Sequence, residues 1–169
     1  IGFGCGSHIS GARLMGHSAS AAEIRVQEDG SVHLTTGSTD VGQGADTVLS
    51  MIAAEVLGVT IDDVRYIRVD SDSTPVDPGT FGSRVTFFTC NAVKRAAEDA
   101  RAQLAKIAGE RLGANPEDLV FRNREIVNRH DDRQRISLKE AVRWGAFQTG
   151  RLIISHGTYA AGDEKIDFR

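Results

Sequence analysis

The sequence predicts an α+β fold, in which a mixed β-sheet with hairpins carries helices packed mainly on one face. Short segments of alternating apolar and polar residues, separated by turn residues, predict paired strands. Longer segments with apolar residues at a spacing of three and four predict helices that each bury one side. Hairpins and helices are mixed along the chain, which is typical of a layered α+β domain.

The first third of the chain begins without periodicity and then alternates regularly. Residues 1–20 are rich in glycine and serine and are predicted to form a loop. Residues 22–26 and 32–36 alternate on either side of an Asp-Gly turn, so they predict a β-hairpin. A helix is predicted from about Ala45 to Leu57, with the following glycine as its C-terminal cap.

The middle of the chain predicts one strand, one loop and one long helix. Residues 64–69 read as a strand that follows a turn at 61–63. Prolines and glycines in residues 71–82 break any regular element and predict a loop. Apolar residues then share one helical stripe as far as Leu112, and Gly113 ends the helix.

The last third predicts a second hairpin, a short helix and a final strand. The hairpin covers residues 119–127 and turns at an Asn-Arg pair. Ser137 and Glu140 have the spacing of a capping box, which starts a helix through about Phe147. Residues 151–159 form an apolar strand, whereas the Asp131-Asp132 pair is interpreted as a solvated turn.

Length and composition favour one soluble globular domain, with residues 1–20 as a loop segment and residues 21–169 as an α+β core. The chain has 169 residues and a net charge of −3, which gives no indication of a nucleic-acid partner. It lacks a run of roughly 18 apolar residues, so no membrane span is predicted. Its two cysteines suit a reducing compartment, and a cytoplasmic location is expected.

Both ends of the sequence indicate a fragment of a larger subunit. It opens on Ile1 without an initiator methionine and stops just after the last predicted strand. The alternative is a mature chain produced by processing.

The first candidate site is the glycine-containing segment 37–44, which links the first hairpin to the first helix. Backbone amides at a helix start can bind an anion or an oxo ligand. The spacing is similar to that of a phosphate-binding loop, but Gln43 and Gly44 stand where lysine and a hydroxyl residue are needed. Gln43 could donate a hydrogen bond without adding charge. Alternatively, it caps the turn from the hairpin into the helix.

The second candidate site is the segment 79–84 at the start of the long helix. It also combines small residues, a hydroxyl and a helix N-terminus. Ser83 could cap the helix or donate to a phosphate or a pterin. Arg84 could pair with an anion or simply cover the helix.

Four segments in this order and spacing resemble the molybdenum hydroxylase family, which includes xanthine dehydrogenase, aldehyde oxidase, carbon monoxide dehydrogenase and hydroxybenzoyl-coenzyme A reductase. They are Val41-Gly42-Gln43-Gly44, the helix at 47–58, the segment 70–75 and Gly79-Thr80-Phe81-Gly82-Ser83-Arg84. The opening segment 4–11 looks nearest to the hydroxybenzoyl-coenzyme A reductase branch. The resemblance implies that the fold is part of the molybdopterin-binding domain of the aldehyde oxidase and xanthine dehydrogenase type.

The resemblance also implies roles for single residues. The glutamine matching Gln43 hydrogen-bonds a terminal ligand of molybdenum in that family, and Gly42 and Gly44 let the backbone pass close to it. The segment matching Gly82 and Ser83 contacts the pyranopterin, and Phe81 lies beside them in sequence. The cofactor implied is molybdopterin or its cytosine dinucleotide form.

The family's catalytic glutamate is expected outside this chain, so the isolated chain is expected to be inactive. The full subunit would hydroxylate or reductively dehydroxylate an organic substrate, which on the nearest branch includes aromatic acyl-coenzyme A. Fe–S clusters and FAD would reside on partner domains or subunits, alongside the remainder of the same subunit. The alternative is a non-catalytic α+β binding or structural module without a cofactor.

Two further expectations concern metals and geometry. The five histidines have no metal-site spacing, and Cys90 is expected to pack beside the long helix, so no direct metal ligand is predicted. Residues 42–44 and 81–83 both precede helices. If those helices pack on one face with similar direction, the two segments converge on one patch open to solvent.

Overall fold

The computed structural model describes residues 1–8, 19–67 and 69–160. Within these ranges the strands form a four-stranded and a three-stranded sheet. Among the same residues, no helix is both long and apolar enough to cross a membrane. The elements in chain order are β1 (Ala19–Val26), β2 (Val32–Thr36), α1 (Ala45–Leu57), β3 (Val64–Ile67), α2 (Cys90–Leu112), β4 (Leu119–Arg122), β5 (Glu125–Asn128), β6 (Asp131–Ser137), α3 (Leu138–Thr149) and β7 (Ile153–Ala160).

The larger sheet has the strand order β3-β2-β1-β7 and is mixed, as predicted. β1 runs antiparallel to β2 and to β7, whereas β3 runs parallel to β2. Along β1, β2 and β7 every second residue is buried. One face of this sheet is therefore covered and the other is largely open.

Helices α1 and α2 cover the buried face, which confirms the predicted one-sided layer. α2 packs on β1 and β7, and α1 packs against α2 and β3. The side of α2 toward the sheet is rich in buried alanines, and small side chains there let the helix approach the strands closely. The Ser155 hydroxyl donates to the Ala96 carbonyl, which ties the last strand to this helix.

The smaller sheet is the meander β4-β5-β6. Its first turn has positive φ at both Asn123 and Arg124, as a two-residue hairpin turn requires, so this predicted hairpin is confirmed. The interpretation of Asp131 and Asp132 as a turn is wrong, because β6 begins at Asp131 and pairs with β5. The strand escapes sequence analysis because most of its residues are polar. Backbone pairing holds it in the sheet, while Ile136 is buried in the core.

Some helix, strand and loop boundaries in the structure differ by a few residues from those predicted. β1 begins at Ala19, so the predicted loop over residues 1–20 is wrong at its end. Residues 1–8 carry no helix or strand, and the rest of that loop lies outside the described residues. β3 ends at Ile67 rather than at residue 69. The long helix is preceded by a π-helical turn, Val85–Thr89, that the sequence does not predict.

Candidate functional site

The first candidate loop connects β2 to α1 and is exposed at its tip. Val41, Gly42 and Gln43 are exposed to solvent. Gly42 and Gly44 have φ of 105° and 80°, a left-handed conformation that glycine adopts at low cost. The loop therefore projects Gln43 away from the core.

Asp40 is the residue that caps this loop and the start of α1. Its carboxylate accepts hydrogen bonds from the amides of Gly42 (2.7 Å), Gly44 (3.3 Å) and Asp46 (3.3 Å). The bond from Gly42, joined by those from the other amides, holds the pKa of Asp40 below its usual value. Three of the amides that could have bound an external anion therefore donate to a carboxylate of the chain itself. An aspartate two residues before a glycine is the signal that could have revealed this turn.

The Gln43 side chain is held by its own loop. Its Oε1 accepts from the Val41 amide at 2.7 Å, and its Nε2 donates to the Thr39 carbonyl at 3.3 Å. These bonds stabilise the turn, as the capping alternative requires. However, Nε2 carries two protons, and Thr39 accepts only one of them. An exposed donor therefore remains.

The second candidate loop precedes the π-helical turn and has an unusual backbone. Gly82 and Ser83 have φ of 57° and 56°, two left-handed residues in succession. Non-glycine residues in this conformation are strained and are concentrated at functional sites. The capping alternative for Ser83 is wrong, because the residue at the cap position of the π-helical turn is Arg84. Ser83 and Phe81 are both exposed, whereas Gly82 is buried.

The two loops lie side by side, as the geometric prediction requires. Thr80 Oγ1 donates to the Thr39 carbonyl at 2.6 Å. The same carbonyl accepts from Gln43, so one backbone oxygen joins both loops. Behind them, a Cβ added at Gly37 would lie 2.0 Å from the Pro75 carbonyl oxygen, which shows how closely the segments pack.

Arg84 does pair with an anion, as one alternative required, but that anion is a carboxylate of this chain and not a bound ligand. Its side chain is fully buried and pairs with the buried carboxylate of Asp77 at 2.6 Å. It therefore neither faces an external anion nor covers the helix surface. Asp77 is not recognisable from the sequence as a buried partner, because it lies in a proline-containing loop, where an acidic residue is ordinarily solvated.

The described residues include most of the histidines, both cysteines and nearly all of the carboxylates that could bind a metal. Within these residues no cluster of three or more histidine, cysteine, aspartate or glutamate side chains could hold a metal ion. Cys90 is buried at the start of α2, and burial raises the pKa of its thiol to about 11. The packing role predicted for Cys90 is confirmed.

A mixed sheet covered on one face by helices, with two adjoining loops at helix starts, defines an α+β domain. The chain belongs to the molybdopterin cofactor-binding domain family, whose sequence profile matches residues 1–168. This match confirms the family to which the four motif segments point.

Individual relatives agree with this membership. The chain is 40% identical over 98 residues to a xanthine dehydrogenase molybdenum-binding subunit of Escherichia coli O157:H7, covering 57% of this chain and 13% of that protein. It is 30% identical over 158 residues to the large subunit of nicotine 6-hydroxylase from Paenarthrobacter nicotinovorans, covering 82% of this chain and 19% of that protein.

The fold matches that of a solved enzyme. The crystal structure of quinoline 2-oxidoreductase from Pseudomonas putida 86 superimposes with a TM-score of 0.79 at 27% identity, over 86% of this chain and 19% of that one. The chain thus spans less than a fifth of the length of the relatives named here.

Proposed function

We propose that this chain forms one wall of the molybdenum-cofactor pocket in an oxidoreductase subunit. The subunit would hydroxylate, or reductively dehydroxylate, an organic substrate, with water as the source or sink of oxygen. The observation that carries the proposal is the pair of adjoining loops that present Gln43 and Ser83 to solvent. Membership of the molybdopterin cofactor-binding family supports it.

The donors available at the two loops fit a molybdenum–pterin group. Gln43 retains one free amide proton, and Ser83 carries an exposed hydroxyl, so both can donate to acceptor atoms. The nearby Arg84 guanidinium is turned inward onto Asp77, so the surface itself gains no positive charge from it. A neutral donor stabilises electron-rich atoms without the strong field of a cation.

Each residue then has a distinct task. Gln43 donates to an acceptor atom near the metal, and the left-handed turns at Gly42 and Gly44 expose its amide. Gly82 and Ser83 form the pterin side of the pocket, where the exposed Ser83 faces the ligand and the buried Gly82 supports the turn, with Phe81 as an exposed apolar neighbour. When bound, the molybdenum–pterin group, as molybdopterin or its cytosine dinucleotide form, supplies the two-electron redox chemistry.

The rest of the proposed assembly lies outside this chain. Residues 21–169 would be the α+β core of one domain, and the remainder of the subunit would supply the base and most of the substrate pocket. Fe–S and FAD domains or subunits would pass electrons onward, in a cytoplasmic complex. The relatives described as subunits support a multi-component enzyme. The narrower assignment to the hydroxybenzoyl-coenzyme A reductase branch, with aromatic acyl-coenzyme A substrates, stays a prediction.

The test compares Gln43→Ala with Gln103→Ala in the whole subunit, purified from a host that makes the cofactor. Gln103 is a matched control, since it is a partly exposed glutamine whose amide also donates within the chain, to Asp99 and to the Ile154 carbonyl. We expect Gln43→Ala to lower kcat/KM by about 100-fold, as loss of a donor to the reacting centre does. The kcat/KM of the control should stay near that of wild type, and both variants should keep the wild-type Tm.

Two results would count against the proposal. A wild-type subunit without stoichiometric molybdenum would favour the non-catalytic module. Equal activities for Gln43→Ala and Gln103→Ala, or a loss of activity that follows a loss of folding, would assign Gln43 to the turn alone.

A further inference from the structure

The buried Asp77–Arg84 ion pair lies directly behind both candidate loops, and none of its charged groups reaches the surface. We infer that Asp77 and Arg84 are positioning residues that hold Gln43 and Ser83 in one fixed relative geometry. The inference rests on the proposed function of those two residues. It adds a role for two side chains that touch neither cofactor nor substrate.

The burial of this pair is nearly complete. The Arg84 and Asp77 side chains are 0% and 1% exposed, and Nη1 lies 2.6 Å from Oδ1. Removing two charges from water is costly, so well-packed apolar residues often stabilise a fold as well as a buried ion pair does. Stability alone is therefore a poor explanation for placing this pair here.

Arg84 connects the second loop to β1. Its Nη1 also donates to the Gly79 carbonyl at 3.0 Å, which closes the loop that contains Gly82 and Ser83. Its Nη2 donates to the Ala19 carbonyl at 2.7 Å and to Ser20 Oγ at 2.8 Å, which anchors the loop to β1. These contacts hold the loop against the strain of its left-handed residues.

Asp77 connects Arg84 to the first loop through hydrogen bonds. Its Oδ1 accepts from the Gly79 amide at 2.9 Å, and its Oδ2 accepts from Ser38 Oγ at 3.1 Å. Ser38 precedes Thr39, whose carbonyl binds both Gln43 and Thr80. A continuous path of hydrogen bonds and one peptide therefore connects Arg84 to the Gln43 amide.

The π-helical turn belongs to the same network. Thr89 Oγ1 lies 2.7 Å from Ser38 Oγ and 3.0 Å from Ser20 Oγ. The π conformation widens the helix by one residue and is frequent at functional sites. Here it is the segment that presents Thr89 to the serines. On the other side, the Tyr66 hydroxyl donates to the Ser38 carbonyl at 2.9 Å, which holds the same residue from β3.

Lysine cannot replace Arg84 in this arrangement. The guanidinium is a planar fork that donates in fixed directions, whereas an ammonium is a single point on a flexible stem. Lysine could pair with Asp77 but could not simultaneously reach the carbonyls of Gly79 and Ala19. Arg84→Lys therefore preserves the charge pair while removing most of the positioning contacts.

The first experiment measures amide hydrogen exchange on the cofactor-free full chain. The variants are Asp77→Asn, Arg84→Lys and the double variant Asp77→Asn/Arg84→Met, which removes both charges and so avoids an unpaired buried one. We expect faster exchange in the segments 39–46 and 77–84 of all three, with no change in β4 to β6. The matched control is Arg124→Met, which breaks an ion pair between the exposed Arg124 and the partly buried Asp63 and should leave both loops unchanged.

The second experiment uses the whole subunit and measures pterin retention and the electron paramagnetic resonance signature of molybdenum. Supporting residues around metal sites typically change affinity or activity by roughly 10- to 100-fold, so we expect pterin retention to fall within that range in Arg84→Lys. The resonance signature should also change, while the melting temperature of the double variant stays near wild type.

Uniformly faster exchange across the chain would overturn the inference, because it would assign the pair a general structural role. Unchanged exchange in both loops, or a wild-type resonance signature in Arg84→Lys, would overturn it as well. A subunit that lacks molybdenum but still shows coupled loops would refute the proposed function and leave the linkage between loops intact.

Discussion

Gly157 sets how closely α2 approaches the sheet, and Gly157→Ala tests whether that approach is needed. A Cβ added at Gly157 would lie 2.1 Å from the Ala92 carbonyl oxygen and 2.4 Å from the Ala96 amide nitrogen. Ordinary contacts of carbon atoms are about 3.5–4.0 Å. Both of these atoms belong to the backbone of a helix, so neither can move without the other. α2 would have to retreat from β7 by more than an ångström.

The expected cost follows from this geometry. Overpacking a core typically costs about 1–3 kcal/mol. Because the clash involves backbone and also separates buried alanines of α2 from the sheet, we expect the upper end, about 3 kcal/mol. For a chain of this size that corresponds to a drop in Tm of about 6–12 °C. Urea and thermal unfolding of the 169-residue chain, followed by far-ultraviolet circular dichroism, measure both quantities.

The matched control is Thr158→Ala, because Thr158 is the next residue of β7 and points to the open face. Its free energy of unfolding should stay within about 0.5 kcal/mol of wild type. If Gly157→Ala also stayed within that range, the close approach of α2 to β7 would be refuted.

Three further predictions concern capping and burial. Hydrogen bonds from backbone amides lower the pKa of Asp40, so its carboxylate stays ionised above about pH 4 and should protect the amides at the start of α1 from hydrogen exchange. This protection should be lost at lower pH, as the carboxylate takes up a proton. Asp40→Asn should abolish this pH dependence in hydrogen exchange, and an unchanged profile would contradict the capping role. At pH 8, a thiol reagent should modify exposed Cys5 rapidly and buried Cys90 only in denaturant, whereas two fast equivalents would disprove the burial. Ser137→Ala should cost about 1 kcal/mol in urea unfolding, because Ser137 and Glu140 form a complete capping box; a neutral result would mean that α3 does not depend on this cap.

Elements defined by local patterns are predictable from sequence, and this chain shows why. The hairpin of β1 and β2 alternates strictly, and the helix α1 has both an apolar stripe and a terminal glycine. These signals depend on residues close together in the chain. By contrast, β6 has few apolar residues, and its strand conformation depends on pairing with β5. A local sequence pattern does not indicate whether a segment will pair with another strand.

At the candidate site, too, some features are predictable from sequence and others depend on the tertiary structure. Gln43 and Ser83 are recognisable from short motifs, since their neighbours are glycines and each motif precedes a helix. Their exposure and proximity depend on Thr80 donating to a carbonyl 41 residues away. Local sequence also suggested an anion site at the amides that lead into α1, but in the structure Asp40 accepts hydrogen bonds from the amides of Gly42, Gly44 and Asp46.

The sequence by itself determined the family, the α+β class and the two glycine-containing loops, because motifs and periodicities are properties of neighbouring residues. Only the tertiary structure decided that Arg84 is buried against Asp77 and that this pair lies behind both loops. The physical reason is that burial of a charge depends on what the rest of the chain places around it. Ala19, Ser20 and Ser38, which complete that surrounding, come from segments far away in sequence.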